Sequence, residues 1–229
     1  MSTAPLPRAS APPREGEPTT LVLARHGRTA DTERGVFAGR DGDDLSLSPA
    51  GEADAARLAT ALEGLGTPAS LASGVGRVSA VVASPMLRTR GTAAPAADRL
   101  GLPVAVDEGW AEVAMGDLNG LTYADAMQRR PDALTAWRGD TATAPPGGES
   151  FDALAARVAA ARERTIAAHP GGVVAVVTHG GPVRVVVRAA LDAGPVALWR
   201  LRITPCALTV VRYWRDGGVE VVALNAAAG

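Results

Sequence analysis

The sequence predicts an α/β fold: a three-layer α/β/α sandwich with a mainly parallel central sheet and a small lid insertion. Two continuous apolar runs, 21–24 and 173–177, are typical of strands buried on both faces, as in a parallel sheet. Amphipathic helical stretches separate the strand-like runs. The resulting order is βα-βα-β-lid-αβα-ββ, in which helices provide the crossovers between parallel strands.

The first βα unit has local signals at each boundary. The strand 20–24 leads into a polar, glycine-rich stretch, 31–47, which we interpret as a loop over the carboxyl edge of the sheet. Ser48 and Pro49 then predict a helix start, because serine caps a helix and proline is tolerated in its first turn. We expect this helix to end near 64–66, where glycines interrupt it.

The second βα unit leads into the lid. Residues 78–83 predict a strand, and the helix after it ends at Gly101, before a short strand over 102–106. Residues 107–148 break the alternation with glycines, a short helix near 123–130 and a Pro-Pro-Gly-Gly turn. We interpret this segment as a lid-like insertion.

The remaining chain restores the alternation of helices and strands. A long amphipathic helix opens at 149–150 and stops before Pro170. The strand 172–177 and a helix over 182–191 follow it. The chain closes with a hairpin over 207–224, whose turn contains Asp-Gly-Gly.

Composition favours one ordinary domain, because the 229 residues are 47% hydrophobic. We expect the proline-rich segment 1–18 to be a disordered tail and 19–229 to be the domain. A net charge of −1 gives no field toward nucleic acid or an acidic membrane, so neither is an expected partner. No run reaches the ~18 apolar residues of a membrane span, and the tail lacks the apolar region of a secretory signal, so we expect a cytoplasmic protein.

Two residues with reactive side chains receive a structural interpretation. Cys206 is the single cysteine, so we expect neither an intramolecular disulfide nor a cysteine-based metal site. It is interpreted as a small buried residue near a strand start. His169 falls in the last turn of the long helix, where a cation suits the helix dipole, and is assigned no catalytic role.

Basic side chains follow three of the predicted strands. Arg25 and His26 come directly after the first strand, Arg88 follows the second, and His179 follows the strand 172–177. Ligands of open α/β sheets bind just past the carboxyl ends of the strands. One such histidine would be interpreted as structural, but two of the three histidines close an apolar run and precede a glycine. We therefore predict that the four side chains share one site.

The glycines that follow the two histidines have predicted roles of their own. Gly27 lets the backbone turn sharply and leaves room for a ligand to approach. Helix N-termini after Gly27 and Gly180 would add backbone N–H donors for an anion.

The predicted cluster suits phosphate. The planar fork of arginine matches a tetrahedral oxyanion, and a neutral imidazole such as His26 can attack phosphorus to form a phosphohistidine. Arg25, Arg88 and His179 would stabilise the charge of the transferred group. Glu112 lies shortly after a strand, near the start of the lid, so we choose it as the carboxyl that protonates the leaving alkoxide and then activates water.

An ordered set of motifs over about residues 20–224 resembles the histidine phosphatase (phosphoglycerate mutase-like) superfamily, and within it the bacterial branch of α-ribazole and acid phosphatases. An Arg-His-Gly triplet alone is a weak signal, whereas the full ordered set is a strong one. In chain order, the motifs are Leu23-Ala24-Arg25-His26-Gly27-Arg28-Thr29, Gly39, Ser84-Pro85-Met86-Leu87-Arg88-Thr89-Arg90-Gly91-Thr92-Ala93, Glu112 with Gly116 and Gly120, Gly147-Gly148-Glu149-Ser150, and Thr178-His179-Gly180.

The resemblance implies a role for each catalytic position. It makes His26 the phosphorylated nucleophile and Glu112 the proton donor. It places Arg25, Arg88 and His179 around the phosphoryl group. It also implies that the reaction uses no metal and no other cofactor.

The resemblance implies further substrate-binding positions: a polar contact from Thr32, a backbone contact near Gly39, and a contact at Gly180, just before the last predicted helix. Arg28 departs from the family pattern, which usually has Glu or Gln there. Either it makes the entrance more basic and favours an anionic substrate, or it is an exposed arginine.

The lid decides the substrate, and its sequence leaves two interpretations open. Trp110, Met115 and Trp137 either line a pocket for an organic leaving group or form the core of the lid. Cofactor-dependent mutases of the family carry Arg-His-Tyr-Gly straight after the acid glutamate. This chain has Val113-Ala114-Met115-Gly116 instead, which favours a phosphatase over a mutase.

The leading hypothesis is a metal-independent phosphomonoester hydrolase that acts on a small phosphorylated metabolite. The alternatives are a phosphoglycerate mutase-type phosphotransferase, a pathway-specific biosynthetic enzyme, and a phospho-ligand binder on the same fold. The sequence does not rank the substrates. The closing hairpin offers an edge for a homodimer, and that alternative stays open.

Overall fold

The computed structural model describes residues 16–67 and 74–228. The predicted tail, 1–18, lies almost wholly outside these residues, and the domain boundary stays a prediction. The strands are Thr19–Arg25 (β1), Ala80–Ala83 (β2), Val104–Val106 (β3), Val173–Thr178 (β4), Leu208–Tyr213 (β5) and Val219–Ala226 (β6).

The helices surround this sheet, and no described helix is long and apolar enough to cross a bilayer. They are Ala30–Arg34 (α1), Pro49–Glu63 (α2), Leu87–Leu100 (α3), Tyr123–Arg129 (α4), Pro131–Gly139 (α5), Phe151–Ala168 (α6), Gly180–Ala190 (α7) and Ala197–Arg200 (α8). The lid segment also contains two short 3-10 helices, Glu108–Trp110 and Gly116–Leu118.

The sheet has the order β3-β2-β4-β1-β5-β6. β1 and β2 pair in parallel with β4, and β3 pairs in parallel with β2. β5 runs antiparallel to β1, and β6 antiparallel to β5, as expected of a closing hairpin. The predicted mainly parallel sheet is confirmed, and the carboxyl ends of β1, β2 and β4 meet at one edge.

Both faces of the sheet are covered, which explains the continuous apolar strands. Along β1, Leu21 and Leu23 belong to the core on the side of α6 and α7, whereas Val22 and Ala24 belong to the core on the side of α2 and α3. Successive side chains of a strand point to opposite faces, so a sheet with helices on both sides needs apolar residues at every position. The predicted three-layer sandwich is confirmed.

Helix starts follow the predicted capping chemistry. The Ser48 side chain accepts a hydrogen bond from the N–H of Gly51, and Pro49 occupies the first turn of α2. Ser150 accepts from the N–H of Ala153 and opens α6.

Four details of the sequence prediction are wrong. The stretch 31–47 is not all loop, because α1 forms there between the cap Thr29 and the left-handed Gly35 (φ 67°). The lid has a second helix, α5, after the predicted one. Helix α7 begins at Gly180 rather than at Pro182, and α8 was not predicted. α1 and α8 have five and four residues, too few to show a helical period.

Candidate active site

The two histidines of the predicted site lie side by side. β1 and β4 are neighbours with Arg25 opposite Thr178, and the N–H of His26 donates to the carbonyl of Thr178 at 2.8 Å. The next residue of each strand end is a histidine, and the ring centroids of His26 and His179 are 5.1 Å apart at an interplanar angle of 63°. The parallel register therefore holds both imidazoles at one edge of the sheet.

The environment of His26 keeps its imidazole neutral. The ring is 5% exposed, and its Nδ1–H donates to the carbonyl of Gly27 at 2.7 Å. Burial lowers the pKa of His26 well below its ordinary value of 6.5, and the charges of Arg25 and Arg88 lower it further. With Nδ1 carrying the proton, Nε2 keeps its lone pair, which is the form of imidazole that acts as a nucleophile.

His179 is fully buried, and Ser84 holds its ring. The hydroxyl of Ser84, at the end of β2, is 2.7 Å from Nε2 of His179. Burial lowers the pKa of His179 well below its ordinary value, with further lowering from the His26 ring and from Arg88. Ser84 therefore connects a third strand end to the pair of histidines. Ser84 belongs to the predicted motif over 84–93 but had no predicted role.

Arg88 reaches the same edge from the start of α3. It is 2% exposed, and its Nη2 donates to the carbonyls of Ala38 and Gly39 at 3.3 and 3.4 Å. Its Nη1 lies 3.9 Å from Asp44, the nearest carboxylate. Burial lowers the pKa of Arg88, and Glu112 acts in the opposite direction.

Arg25 leaves the end of β1 and donates to the carbonyl of Ile203 at 3.0 Å. Burial lowers the pKa of Arg25, and Glu112 again opposes that shift. Within the described chain, the buried side-chain nitrogens that lack a hydrogen-bond partner include Arg25 Nε, Arg88 Nε and His179 Nδ1. An unsatisfied buried polar group is costly, so three of them around His26 point to an oxyanion that would bind there.

Glu112 reaches the same cavity from the lid. Its Oε1 accepts from the N–H of Gly181 at 3.1 Å and from its own neighbour, Val113, at 2.9 Å. The carboxylate thus lies at the N-terminus of α7, where the helix dipole favours negative charge. Together with Arg25 and His26 it lines a cavity of about 350 Å³.

Arg184 is a further cation of the site that the sequence analysis missed. It lines the same cavity, one turn into α7, and its Nε donates to the carbonyl of Leu201 at 3.3 Å. Burial lowers the pKa of Arg184, and the charge of Glu112 opposes the shift. The available signal was a basic residue in a largely apolar helix, placed to share a face with Gly180.

Apart from Arg138, the rest of the cavity wall is apolar and largely aromatic. It is formed by Val36, Phe37, Val113, Met115, Trp137, Phe151 and Trp199. The open question about the lid residues has a mixed answer. Met115 and Trp137 line the cavity and also belong to the core, whereas Trp110 is fully buried and donates to the hydroxyl of Thr165 at 3.3 Å.

Residues 21–227 match the family model described as the histidine phosphatase superfamily, branch 1. The chain belongs to that family. A bifunctional protein of Mycobacterium tuberculosis is 36% identical over 210 residues, which are 92% of this chain but only 54% of that protein. The chain therefore spans about half the length of this relative. The resemblance inferred from the motifs is confirmed.

Other relatives of this histidine phosphatase domain match along most of their length. Glucosyl-3-phosphoglycerate phosphatase of M. tuberculosis is 35% identical over 188 residues, covering 78% of each protein. The solved complex of mycobacterial glucosyl-3-phosphoglycerate phosphatase with inorganic phosphate superposes with a TM-score of 0.76 at 29% identity, covering 92% of this chain and 98% of that one.

The predicted substrate-binding residues of the histidine phosphatase site fall into two groups. Thr32 and Gly180 line the cavity, as does Arg25. Gly39 contributes differently from the prediction. Its N–H donates to the side chain of Asn119 at 2.8 Å, while its carbonyl accepts from Arg88.

Arg28 is not brought to the cavity. Its Nε and Nη2 donate to the two carboxylate oxygens of Asp54 at 2.7 and 2.8 Å, and Nη2 also reaches the carbonyl of Ala50. This bidentate pair occupies the guanidinium outside the cavity, which favours the interpretation of Arg28 as an exposed arginine over a basic entrance.

Gly27 is required for a different reason from the one predicted. A Cβ at this position would lie 2.6 Å from the carbonyl oxygen of Gly51, so the glycine makes room for the start of α2 rather than for a ligand. The helix that follows begins only at Ala30, and the N–H of Gly27 donates to Thr92. Gly27 therefore allows the start of α2 to pack closely against the end of β1.

The two residues interpreted as structural remain outside the site. Cys206 is buried in the core on the side of α2 and α3, and burial raises the pKa of its thiol to about 12, so it stays protonated and unreactive. His169 caps the C-terminus of α6. The described residues contain no group of three or more metal-ligating side chains.

Proposed function

We propose that the chain is a metal-independent phosphomonoester hydrolase that acts on a small phosphorylated metabolite through a phosphohistidine on His26. The observation that carries this proposal is the buried, neutral imidazole of His26, whose Nδ1–H is held by Gly27 and whose ring lies 5.1 Å from that of His179. This is the arrangement that a phosphorus nucleophile needs.

In the first step, Nε2 of His26 attacks phosphorus and a P–N bond forms. The bond from phosphorus to the ester oxygen breaks, and its electron pair stays on that oxygen. Glu112, which enters this step as the protonated acid, donates a proton to the leaving alkoxide. Arg25 and Arg88 bind the phosphoryl oxygens and stabilise their charge, because both guanidiniums carry unsatisfied N–H groups beside His26.

In the second step, Glu112 acts as the base. Its carboxylate takes a proton from water, and the resulting hydroxide attacks phosphorus. The P–N bond breaks, its electron pair returns to Nε2 of His26, and inorganic phosphate leaves. The position of Glu112, held by the N–H of Gly181, suits both proton transfers, since one carboxyl faces the site throughout.

The relatives support this reading. Proteins of the family at comparable similarity are named as phosphatases, and one was solved in complex with inorganic phosphate. Glu112 is followed by three buried apolar residues, Val113, Ala114 and Met115, in place of the basic run of the mutases. We therefore place mutase activity below hydrolysis.

A phosphomonoester panel tests the proposal. Phosphate release is measured with EDTA present for the wild type, for His26→Ala and for the matched control His169→Ala, which removes a histidine outside the site. We expect turnover by the wild type and by His169→Ala, with a loss of at least ~10³-fold in His26→Ala. Full turnover by His26→Ala would overturn the proposal.

The alternatives give different results in the same assays. A mutase would transfer the phosphoryl group between positions of 3-phosphoglycerate, in dependence on a bisphosphorylated primer. A phospho-ligand binder would bind phosphate and hydrolyse no ester.

A further inference from the structure

The cavity beside His26 is larger and more aromatic than a phosphoryl group requires. Its volume of about 350 Å³ lies in the range of sites for organic ligands. The chain has only eight aromatic residues, namely four Trp, two Tyr and two Phe. Both phenylalanines, Phe37 and Phe151, and two tryptophans, Trp137 and Trp199, line this one cavity.

The four rings hold one another in fixed orientations. Trp137 stacks on Phe151 at 5.1 Å and 24°, and Trp199 meets both edge-on at 5.2 and 5.1 Å. Phe37 approaches Trp137 edge-on at 6.2 Å. Trp137 and Phe151 are buried, whereas Phe37 and Trp199 are only partly buried. Trp137 and Phe151 thus support the aromatic wall from behind, whereas Phe37 and Trp199 leave aromatic surface open to the cavity.

Arg138 extends this surface. Its guanidinium lies over the ring of Trp199 at 4.9 Å and over that of Tyr123 at 5.3 Å. Among the described residues, no carboxylate lies within ion-pair distance of it. A guanidinium plane stacks on aromatic faces, so Arg138 adds a further flat surface to the same wall.

Charge is concentrated at the other end of the cavity. Arg25, Arg88 and Arg184 each interact electrostatically with Glu112, so these three cations lie together at the phosphoryl end. At the aromatic end Arg138 is the cation, and it is exposed, so an anion paired with it would be screened by water. The aromatic end is therefore better suited to an apolar, flat body than to a second anionic group.

We propose that the leaving alcohol of the substrate carries a planar aromatic ring system, which packs against Phe37 and Trp199 while the phosphoryl group lies at His26. This inference rests on the proposed phosphatase function and names its substrate class. Stacked or edge-on ring contacts favour an aromatic group over an aliphatic one of similar size. The competing interpretation, in which all four rings serve only as lid core, does not require Phe37 and Trp199 to remain open to the cavity.

The test compares esters of primary alcohols, so that the leaving oxygens are chemically alike. The probes are 2-(1-naphthyl)ethyl phosphate, 2-cyclohexylethyl phosphate, ethyl phosphate and phosphoserine, and the readout is kcat/KM from phosphate release. We expect the naphthyl ester to exceed ethyl phosphate by at least about tenfold, and the cyclohexyl ester to fall between them. Trp199→Leu and Phe37→Leu keep an apolar side chain but remove the ring, and each should reduce the naphthyl-to-ethyl ratio by about three- to tenfold.

A matched control separates this effect from general damage. Trp214→Leu removes a tryptophan in the turn between β5 and β6, outside the cavity, and should leave the ratio as in the wild type. A ratio near one in the wild type, or one that Trp199→Leu and Phe37→Leu leave unchanged, overturns the inference. A preference for phosphoserine that is lost in Arg138→Gln also overturns it, in favour of an anionic leaving group. If the wild type hydrolyses none of the four esters but binds phosphate, the proposed function itself fails.

Discussion

The carboxylate of Glu112 lies against the backbone of Gly181, and only a glycine at position 181 leaves room for that carboxylate. Oε1 of Glu112 accepts from the N–H of Gly181 at 3.1 Å, and a Cβ at that position would overlap the same oxygen. The start of α7 therefore positions the group that we assign to both proton transfers.

Gly181→Ala should displace the Glu112 carboxyl and lower kcat by about 10–100-fold, because misplacing a catalytic group by about 1 Å costs that much. Gly180→Ala is the comparison variant, since its Cβ would meet no atom closer than 3.6 Å. We expect a clearly smaller loss from it. Equal losses in the two variants, measured on one phosphomonoester, would show that the contact at Gly181 does not position Glu112.

Ser84→Ala should destabilise the fold and displace the ring of His179. The buried Nε2 of His179 would lose its only described partner, the hydroxyl at 2.7 Å, and an unsatisfied buried group costs about 1–3 kcal/mol in the free energy of unfolding. We also expect kcat to fall by about tenfold through misplacement of the ring. Ser79→Ala, which removes a hydroxyl bonded to the Val173 carbonyl, is the control for both measurements and should not lower kcat. An unchanged kcat in Ser84→Ala would remove this serine from the positioning of His179.

The two buried histidines predict how stability depends on pH. Burial lowers the pKa of both His26 and His179 well below 6.5, so the folded chain stays neutral where the unfolded chain takes up protons. The free energy of unfolding should therefore fall as the pH decreases below 6.5, by up to about 1.4 kcal/mol per pH unit for each histidine.

Urea denaturation at several pH values measures this slope. His179→Gln should remove about half of it over roughly one pH unit below 6.5, and His169→Ala is the control for removal of a histidine elsewhere. A slope that His179→Gln leaves intact would contradict the neutral state assigned to the buried ring.

Arg184 and Arg28 should differ sharply in function. Arg184 lines the cavity beside Glu112, so Arg184→Gln should lower kcat/KM by about 10–100-fold. Arg28 is held by Asp54 outside the cavity, so Arg28→Gln should change kcat/KM by no more than about twofold. Steady-state kinetics on one ester tests both, and a large loss in Arg28→Gln would restore the basic entrance that the sequence suggested.

The strands, the main helices and the residues at the strand ends were predictable because their signals are local. An apolar run followed by His26 or His179 specifies a buried strand and its functional end within ten residues. Ser48 and Ser150 likewise mark helix starts through contacts with residues three positions away.

The errors come from contacts between distant parts of the chain. Arg28 appeared free to bind an anion because its partner, Asp54, lies 26 residues further along, on α2. The close approach that requires glycine at position 27 involves Gly51, again on α2. Arg184 belongs to the site only because α7 starts directly at the end of β4. A single sequence does not encode these distances in any periodic pattern.

The most direct test of the proposal is to trap the covalent intermediate. The wild type and Glu112→Gln are mixed with a phosphomonoester for milliseconds, quenched in alkaline denaturant to preserve the P–N bond, and digested for mass spectrometry. We predict one phosphate on the peptide that contains His26. With p-nitrophenyl phosphate as the ester, whose leaving group departs without a proton, Glu112→Gln should accumulate more of this phosphopeptide, because only the second step then needs Glu112. Turnover of the ester without any phosphate on His26, or with phosphate on His179 instead, would contradict it.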